Sequence, residues 1–237
     1  MKKTHRTLIY TLLLMGFVLV VTNSCKKDKT DDPANTVTDV DGNVYHTINI
    51  FAQTWMVENL KTTHYNDGIT LIPTEPDNTK WANLTTAAYC WFNADVNNKV
   101  VYGALYNWYA ASNSKLCPAG WHVPSNPEWT TLINNLGGIN TLGEKLKATG
   151  TTLWTSPNLG AKNSSGFTAF PAGDRGVNGV GVFGDLGLYG TWWSSTGEGT
   201  DNGWYLGVRS IGADGYNYYG KKSWGFSVRC LKGVPAQ

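Results

Sequence analysis

Nine acidic, amide and aromatic residues in the C-terminal part of the chain carry the side chains that sugar-binding sites use. They are Asp174, Asn178, Asp185, Tyr189, Asp201, Asn202, Trp204, Asp214 and Tyr216. Aromatic rings present flat faces on which a sugar can stack, and carboxylate or amide groups fix its hydroxyls. Asp and Asn also favour tight turns, so a purely structural role for these residues stays open. The pattern predicts a ligand site on the loops between late strands.

Several of these side chains also have the oxygen atoms that calcium takes as ligands. They are Asp185, Asp201, Asn202 and Asp214, all in glycine-rich segments. No calcium motif accompanies them, and the sequence has neither a Cys-x-x-Cys pair nor two histidines at i, i+4. We therefore predict no metal and no cofactor.

The sequence lacks the motifs of the common enzyme classes. Its acidic residues are spread through loops rather than paired on one element. Asp174 and Arg175 are adjacent, and we predict a local ion pair between them that fixes a loop. Residues 179–184 are glycine-rich but follow no convincing strand and open no helix, so we predict a loop there too. These observations predict a protein without catalytic activity.

Four cysteines divide into one near the N-terminus and three in the rest of the chain. Cys117 lies in a turn before a helix, Cys230 lies in the predicted final strand, and Cys90 lies in an apolar run where a reduced thiol packs as a small hydrophobe. An oxidising compartment favours pairing. We predict a Cys117–Cys230 disulfide and a free Cys90.

The N-terminal segment has the pattern of a secretory signal: a basic start, an apolar run of 14 residues over 8–21, and small residues before Cys25. The segment Thr22–Cys25 resembles a bacterial lipoprotein cleavage box, in which the cysteine is lipidated. We predict a signal peptide over 1–24, a lipidated Cys25 with a flexible tether over 25–36, and one domain over 37–237. Ordinary cleavage near Ser24, which would leave a free thiol, is the alternative.

Removal of the predicted signal peptide changes the charge of the chain. Without Lys2, Lys3 and Arg6, the chain keeps 16 of its 19 basic residues and all 17 acidic residues, which gives a net charge of −1. Binding to nucleic acid or to an anionic lipid surface would require a basic patch. The predicted contact with a membrane is therefore through the lipid anchor only.

The periodicity of the sequence predicts strands first, then helices, then strands again, which is typical of an α+β fold. The predicted strands are 37–40, 44–50, 53–57, 89–92, 167–170, 191–195, 203–209, 216–219 and 225–231. The predicted helices are 102–111, 126–136 and 141–149. Ser125 and Glu128 have the spacing of a capping box at the start of the second helix.

Six ordered motifs resemble the Fibrobacter succinogenes major paralogous domain family, which is common in bacterial lipoproteins. They are 41–45 with 53–60, Tyr102–Trp108, Cys117–Pro124 with Glu128 and Trp129, Phe170–Arg175, Trp192–Thr196 and Gly225–Cys230. The resemblance implies a variant of the C-type lectin fold, with two to three helices packed on short antiparallel strands and a long glycine-rich loop region. A bridge from the turn before a helix to the final strand suits that fold.

The resemblance does not extend to the functional residues of related domains. Sugar-binding C-type lectins place a Glu-Pro-Asn or Gln-Pro-Asp loop late in the fold, whereas Glu75-Pro76-Asp77 precedes both main helices here. Formylglycine-generating enzymes need active-site cysteines, which a bridged Cys230 does not supply. We therefore carry over neither the calcium–sugar site nor an oxidase activity.

These observations lead to one main prediction of function and two alternatives. The main prediction is a lipoprotein of the outer membrane, exposed at the cell surface, that binds a glycan or an envelope or extracellular protein through its loops. The first alternative is a structural component of an envelope complex or surface appendage. The second is a glycan-active enzyme, which would need two close carboxylates in a cleft, one with a raised pKa.

Overall fold

The computed structural model describes residues 35–234, and all structural statements below concern this range. The predicted signal peptide and almost the whole predicted tether, including Cys25, lie outside it. The described strands are β1 Thr36–Thr38, β2 Val44–Ile50, β3 Gln53–Met56, β4 Tyr89–Cys90, β5 Leu105–Tyr106, β6 Trp121–His122, β7 Asp174–Arg175, β8 Phe183–Gly184, β9 Tyr189–Glu198, β10 Asn202–Arg209, β11 Gly215–Lys221 and β12 Leu231–Lys232. The described helices are α1 Asn78–Ala82, α2 Asn98–Tyr102, α3 Trp108–Ala111, α4 Asn126–Asn135 and α5 Leu142–Leu146. The predicted α+β class is confirmed.

A five-stranded antiparallel sheet joins early and late parts of the chain. Its order is β1-β2-β3-β12-β6. Leu231 of β12 pairs with Trp55 of β3 on one side and with His122 of β6 on the other. The predicted disulfide is confirmed: Cys117 and Cys230, 113 residues apart, are bridged just before β6 and β12, and Cys90 is free and buried.

The second sheet contains the long strands of the C-terminal half in the order β11-β10-β9. All its pairs are antiparallel, with a bulge between Gly203 and Tyr205 where β10 meets β9. Glycines interrupt the apolar alternation of these strands, and the faces that they leave open are filled by aromatic rings from neighbouring strands and helices.

Aromatic side chains form much of the core. Trp55 stacks on Trp129 of α4 with ring centroids 4.6 Å apart, and Phe167 meets Trp55 and Trp192 edge-on. Because α4 carries its apolar residues at i, i+3, i+4 and i+7, one face of the helix reaches this cluster. The capping box begins α4 as predicted, with the Glu128 carboxylate accepting hydrogen bonds from the backbone N–H and hydroxyl of Ser125.

Two buried cations, with no carboxylate partner among residues 35–234, hold the irregular segments in place. Lys147 donates to the carbonyl oxygens of Leu159, Arg209 and Gly212 at 2.8–3.0 Å. Arg229 donates to the carbonyl oxygen of Phe167 and to the Asn59 amide oxygen, and its guanidinium lies over the ring of Phe167. Carbonyl oxygens that a helix or sheet would satisfy are here satisfied by a lysine and an arginine.

Four predicted elements differ from those observed. Residues 102–111 are not one helix, because Gly103 has a φ of 74° and ends α2, after which β5 and α3 follow. The third helix ends at Leu146, since Lys147 is extended. Residues 167–170 make one isolated bridge, between Ala169 and Lys147, and residues 225–230 make isolated bridges before the short β12. The apolar residues of these two segments are buried by tertiary contacts, such as that of Phe167 with Arg229, and not by pairing between long strands. Their sequence pattern resembles that of a strand for this reason.

Candidate functional site

Five of the nine predicted site residues line one cavity of about 300 Å³, which we call the tyrosine pocket. Its lining consists of Asp174, Val177, Asn178, Asp185, Tyr189, Thr191, Tyr205, Tyr216 and Phe226. The predicted members are Asp174, Asn178, Asp185, Tyr189 and Tyr216. The second sheet forms the aromatic wall, and the β7–β8 hairpin with its loop carries the acidic and amide groups.

One glycine allows the aromatic wall to form. Gly207 is the central member of a cross-strand row in which Tyr216 of β11 and Thr191 of β9 are its partners. The ring of Tyr216 lies across the backbone of Gly207, where a Cβ would overlap it. The Tyr216 hydroxyl thereby comes within 3.3 Å of the Thr191 hydroxyl.

The three tyrosines contact one another edge to face. The ring centroid of Tyr216 is 6.4 Å from that of Tyr189 and 6.0 Å from that of Tyr205. Tyr205 also packs on Phe226 at 4.8 Å. Rings at these distances and angles hold each other in place, so the wall exists without a ligand. Burial raises the pKa of Tyr205 and of Tyr216, and both phenols are neutral.

Two carboxyl groups lie together opposite this wall. Asp174 is 4% exposed and lines the same pocket as Asp185. The pKa of Asp174 is raised to about 7, first by burial and then by the charge and hydrogen bonding of Asp185. Asp174 is therefore partly protonated near neutral pH.

The short β7–β8 hairpin places Asp174 in the pocket. Gly173 has a φ of 67°, and a Cβ there would contact the backbone of Leu186 at 2.7 Å. Asp174 and Arg175 then extend in β7, where successive side chains point to opposite faces. The predicted loop over 179–184 is wrong in part, because Phe183 and Gly184 form β8 and pair with β7.

The predicted ion pair between Asp174 and Arg175 is also wrong. Arg175 lies on the other face of β7, between the rings of Trp81 and Phe183. It donates to the carbonyl oxygens of Glu75, Pro76 and Gly181. Strand alternation separates the two adjacent charges, so the arginine neutralises neither carboxylate of the pocket.

The other four predicted residues lie elsewhere. Asp201 and Asn202 line a separate open cavity of about 500 Å³ with Lys221 and Lys222. Trp204 points to the opposite face of β10 from Tyr205 and donates from its indole N–H to Glu198 at 2.8 Å. Asp214 forms an ion pair with Arg209 at 3.0 Å on the surface.

Four residues of the pocket were not among those predicted from the sequence: Val177, Thr191, Tyr205 and Phe226. The position of Tyr205 next to Trp204 was the available signal, since only one of two consecutive strand residues can face a given side. The Gly203-x-x-x-Gly207 spacing around Tyr205 indicates which one, because rings from other elements, those of Trp108 and Tyr216, cover both glycines on that face.

Two further observations concern metals and membranes. Within residues 35–234, no group of three or more His, Cys, Asp or Glu side chains is arranged to hold a metal ion. None of the helices in the same range has the length and apolar character needed to cross a bilayer.

The sequence model of the Fibrobacter succinogenes major domain matches residues 48–232. The chain belongs to the Fibrobacter succinogenes major domain family. This confirms the predicted family, and the match includes every residue of the tyrosine pocket. Neither the curated proteins nor the solved structures contain a match to this chain. The Fibrobacter succinogenes major domain is thus assigned on sequence, and the family assignment itself specifies no ligand.

Proposed function

We propose that this protein is a lipoprotein of the outer membrane that binds a glycan at the cell surface through the tyrosine pocket, without catalysis. The C-type lectin-like architecture belongs to the same proposal. It is supported by the family, by the mixture of short helices with antiparallel strands, and by the glycine-rich segment that forms the β7–β8 hairpin. The lipobox-like segment at Cys25 supports the location.

The observation that carries the proposal is a preformed wall of three partly exposed tyrosine rings facing a buried carboxyl pair. A cavity of about 300 Å³ is at the small end of ligand sites, which range over roughly 300–1,000 Å³. That volume suits a single sugar residue better than a long chain. The rings offer faces for stacking, and Asp174, Asn178 and Asp185 offer acceptors and donors for hydroxyl groups.

The carboxyl pair bears on the enzymatic alternative, which requires two acids in a cleft. Glycosidases separate the two carboxyl groups by roughly 5 Å or more, so that the sugar fits between them. Asp174 and Asp185 line the same pocket, and the pKa of Asp174 is raised to about 7. The pair therefore has the two features that the enzymatic alternative requires, and that alternative stays open beside binding.

Exposed apolar side chains favour the assembly alternative. Val96, Val100 and Val101, on and just before α2, are 61%, 78% and 41% exposed. Contiguous apolar surface is a common mark of protein interfaces. None of these three valines lines the tyrosine pocket, so the two functions are compatible in one molecule.

A glycan array probed with the full-length protein in detergent tests the proposal, with one set in calcium and one in chelator. We expect selective binding that is lost in Tyr216→Ala and kept in Trp204→Ala, since Trp204 lies on the opposite face of the sheet. Thermal unfolding of both variants verifies that they are folded. A blank array would contradict the proposal and favour the assembly function, and loss of binding only in chelator would show a calcium requirement.

A further inference from the structure

The tyrosine pocket has an uncompensated negative character. Its lining contains two aspartates and no lysine, arginine or histidine. The nearest cation in sequence, Arg175, donates to backbone carbonyls on the other face of β7. The titratable groups that face Asp174 are Asp185 and the neutral phenols of Tyr205 and Tyr216. None of them can supply a positive charge.

One atom of the carboxyl pair lacks a hydrogen-bond partner. Asp174 lines the pocket, is 96% buried by its 4% exposure, and its Oδ1 accepts no hydrogen bond within residues 35–234. Leaving a buried polar atom unpaired costs roughly 1–3 kcal/mol. Several buried side-chain atoms in this range lack a partner, and Asp174 Oδ1 is the one whose residue lines the pocket, where a ligand donor that reached it would supply the missing hydrogen bond.

The aromatic wall favours a ligand whose hydrogen-bond donor carries a positive charge. Tyrosine rings attract a cation over their faces, and sites lined by several rings recognise ammonium groups in this way. The same contact recurs elsewhere in the fold, where Lys222 lies 4.5 Å from the centroid of the Trp108 ring. A hydroxyl can donate to the carboxyl pair, but it lacks the positive charge that both the carboxylate and the ring faces attract.

We infer that the tyrosine pocket recognises the primary ammonium group of an amino sugar, held between the Asp174–Asp185 pair and the rings of Tyr189, Tyr205 and Tyr216. The inference rests on the proposed glycan-binding function and narrows its ligand class. The ammonium N–H groups donate to the carboxyl oxygens, and the sugar ring stacks on the tyrosine wall. Acetylation of the nitrogen removes both the charge and two of the donors.

A metal ion fits the same pocket less well. Calcium takes six to eight oxygen ligands, whereas the pocket presents two carboxyl groups, one amide and otherwise aromatic or apolar groups, with hydroxyls at the tyrosines and Thr191. A quaternary ammonium also fits less well, because it has no N–H group for the unpaired Oδ1 of Asp174. The ligand that satisfies charge, donors and ring faces together is a primary amine on a compact polar body.

Isothermal titration of the full-length protein in detergent tests the inference with three sugars of one hydroxyl pattern: glucosamine, N-acetylglucosamine and glucose. At about pH 6.5 the amine, with a pKa of about 8 or below, is largely charged. We expect glucosamine to bind at least about tenfold more tightly than either neutral sugar. Because a bound cation favours the ionised form of Asp174, whose pKa is raised to about 7, binding in buffers of different ionisation enthalpy should also show proton release.

Asp185→Asn is the matched test variant, since it removes one charge from the pocket while Asp185 is only half-buried. Asp201→Asn is its control, because Asp201 lies in the other cavity. We expect Asp185→Asn to lose the preference for glucosamine and Asp201→Asn to keep it. Tetramethylammonium should compete at least about tenfold more weakly than methylammonium.

The outcomes separate the two proposals. Equal binding of all three sugars, lost in Tyr216→Ala, would overturn the inference and keep glycan binding. Binding of methylammonium with no binding of any sugar or array glycan would keep the ammonium site and overturn glycan recognition. Competition by millimolar Ca²⁺ would overturn the inference in favour of a metal, and no binding of amines or sugars would overturn both.

Discussion

At the scale of single residues, the pocket depends on residue types that are unfavourable in the positions where they lie. Asp174 is an acid buried without a cation, and Gly207 is a strand residue without a side chain. Each would cost stability in isolation. Together they create a concave polar site on a sheet whose opposite face is packed into the core, which is how function commonly departs from folding rules.

Asp174→Asn should stabilise the protein at alkaline pH. The pKa of Asp174 is raised in the folded state to about 7, above its ordinary value of 3.8. Its contribution to stability is therefore present below pH 3.8 and lost as the pH rises through 7. Removing the charge should raise the free energy of unfolding at about pH 8.5 by roughly 2–4 kcal/mol, with little change at about pH 3.5. Urea unfolding at both pH values measures this, and an equal change at both would show that the effect is not ionisation.

Gly207→Ala should damage the pocket more than the fold. A Cβ at this position overlaps the Tyr216 ring, so the ring must move away from the backbone of β10 and lose its contact with Thr191. We expect a loss of stability of about 1–3 kcal/mol from overpacking and loss of ligand binding. Tyr216→Ala loses packing of its own, but it removes the ring that the new Cβ would overlap, so Gly207→Ala should cost much less stability in a Tyr216→Ala background than alone. An equal cost in both backgrounds would locate the strain elsewhere.

At the scale of elements, α4 was predictable almost residue by residue, and the reason is local. Its capping box, the proline in its first turn and its apolar stripe all lie within a few residues of one another. The long strands of the second sheet were predictable for the same reason. The regions 102–111 and 167–170 were not, because Gly103 and distant contacts to Arg229 decide their conformation.

The pair of His122 and Glu128 at the start of α4 should make the free energy of unfolding depend on pH. The pKa of Glu128 is lowered and that of His122 is raised: burial works against both shifts, and the 2.9 Å hydrogen bond with the opposite charge outweighs it. The glutamate contribution is present above its ordinary pKa of 4.5, and the histidine contribution is present below 6.5.

Glu128→Gln should therefore lower the free energy of unfolding most between about pH 4.5 and 6.5, by roughly 1–3 kcal/mol. The difference from the unmodified protein should shrink as the pH falls through the folded pKa of Glu128 or rises through that of His122. Chemical unfolding across this range measures it. A difference that does not vary with pH would assign the effect to the capping bonds with Ser125 alone.

At the scale of the whole molecule, the sequence predicted the fold class, the family and the disulfide, because ordered motifs and cysteine positions can be recognised without knowing tertiary contacts. It predicted acidic, amide and aromatic residues for the candidate site, and five of the nine line the tyrosine pocket. Asp201, Asn202, Trp204 and Asp214 have the same chemistry as the pocket residues. These four residues lie outside the pocket because of the face of the sheet on which they lie and their place in the hairpins, and both depend on the register of β9, β10 and β11.

Loss of the disulfide should destabilise the molecule as a unit. The bridge closes a loop of more than 100 residues, since Cys117 and Cys230 are 113 positions apart. The chain-entropy estimate for a loop of this length is about 4–5 kcal/mol. The double variant Cys117→Ser with Cys230→Ser should lower the free energy of unfolding by up to that amount, with Cys90→Ala as the control that removes a thiol without touching the bridge and should cost much less. Guanidinium unfolding under non-reducing conditions distinguishes them.

The place of β12 between β3 and β6 also governs when the molecule can fold. Leu231 pairs with Trp55 on one side and His122 on the other, so an interior strand of the first sheet is among the last parts of the described chain to be synthesised. A nascent chain of this topology remains without its closing strand through nearly all of translation, and contacts of such sequence separation form slowly. An export channel accepts extended chains, so for the proposed lipoprotein this strand order would favour export by delaying compaction.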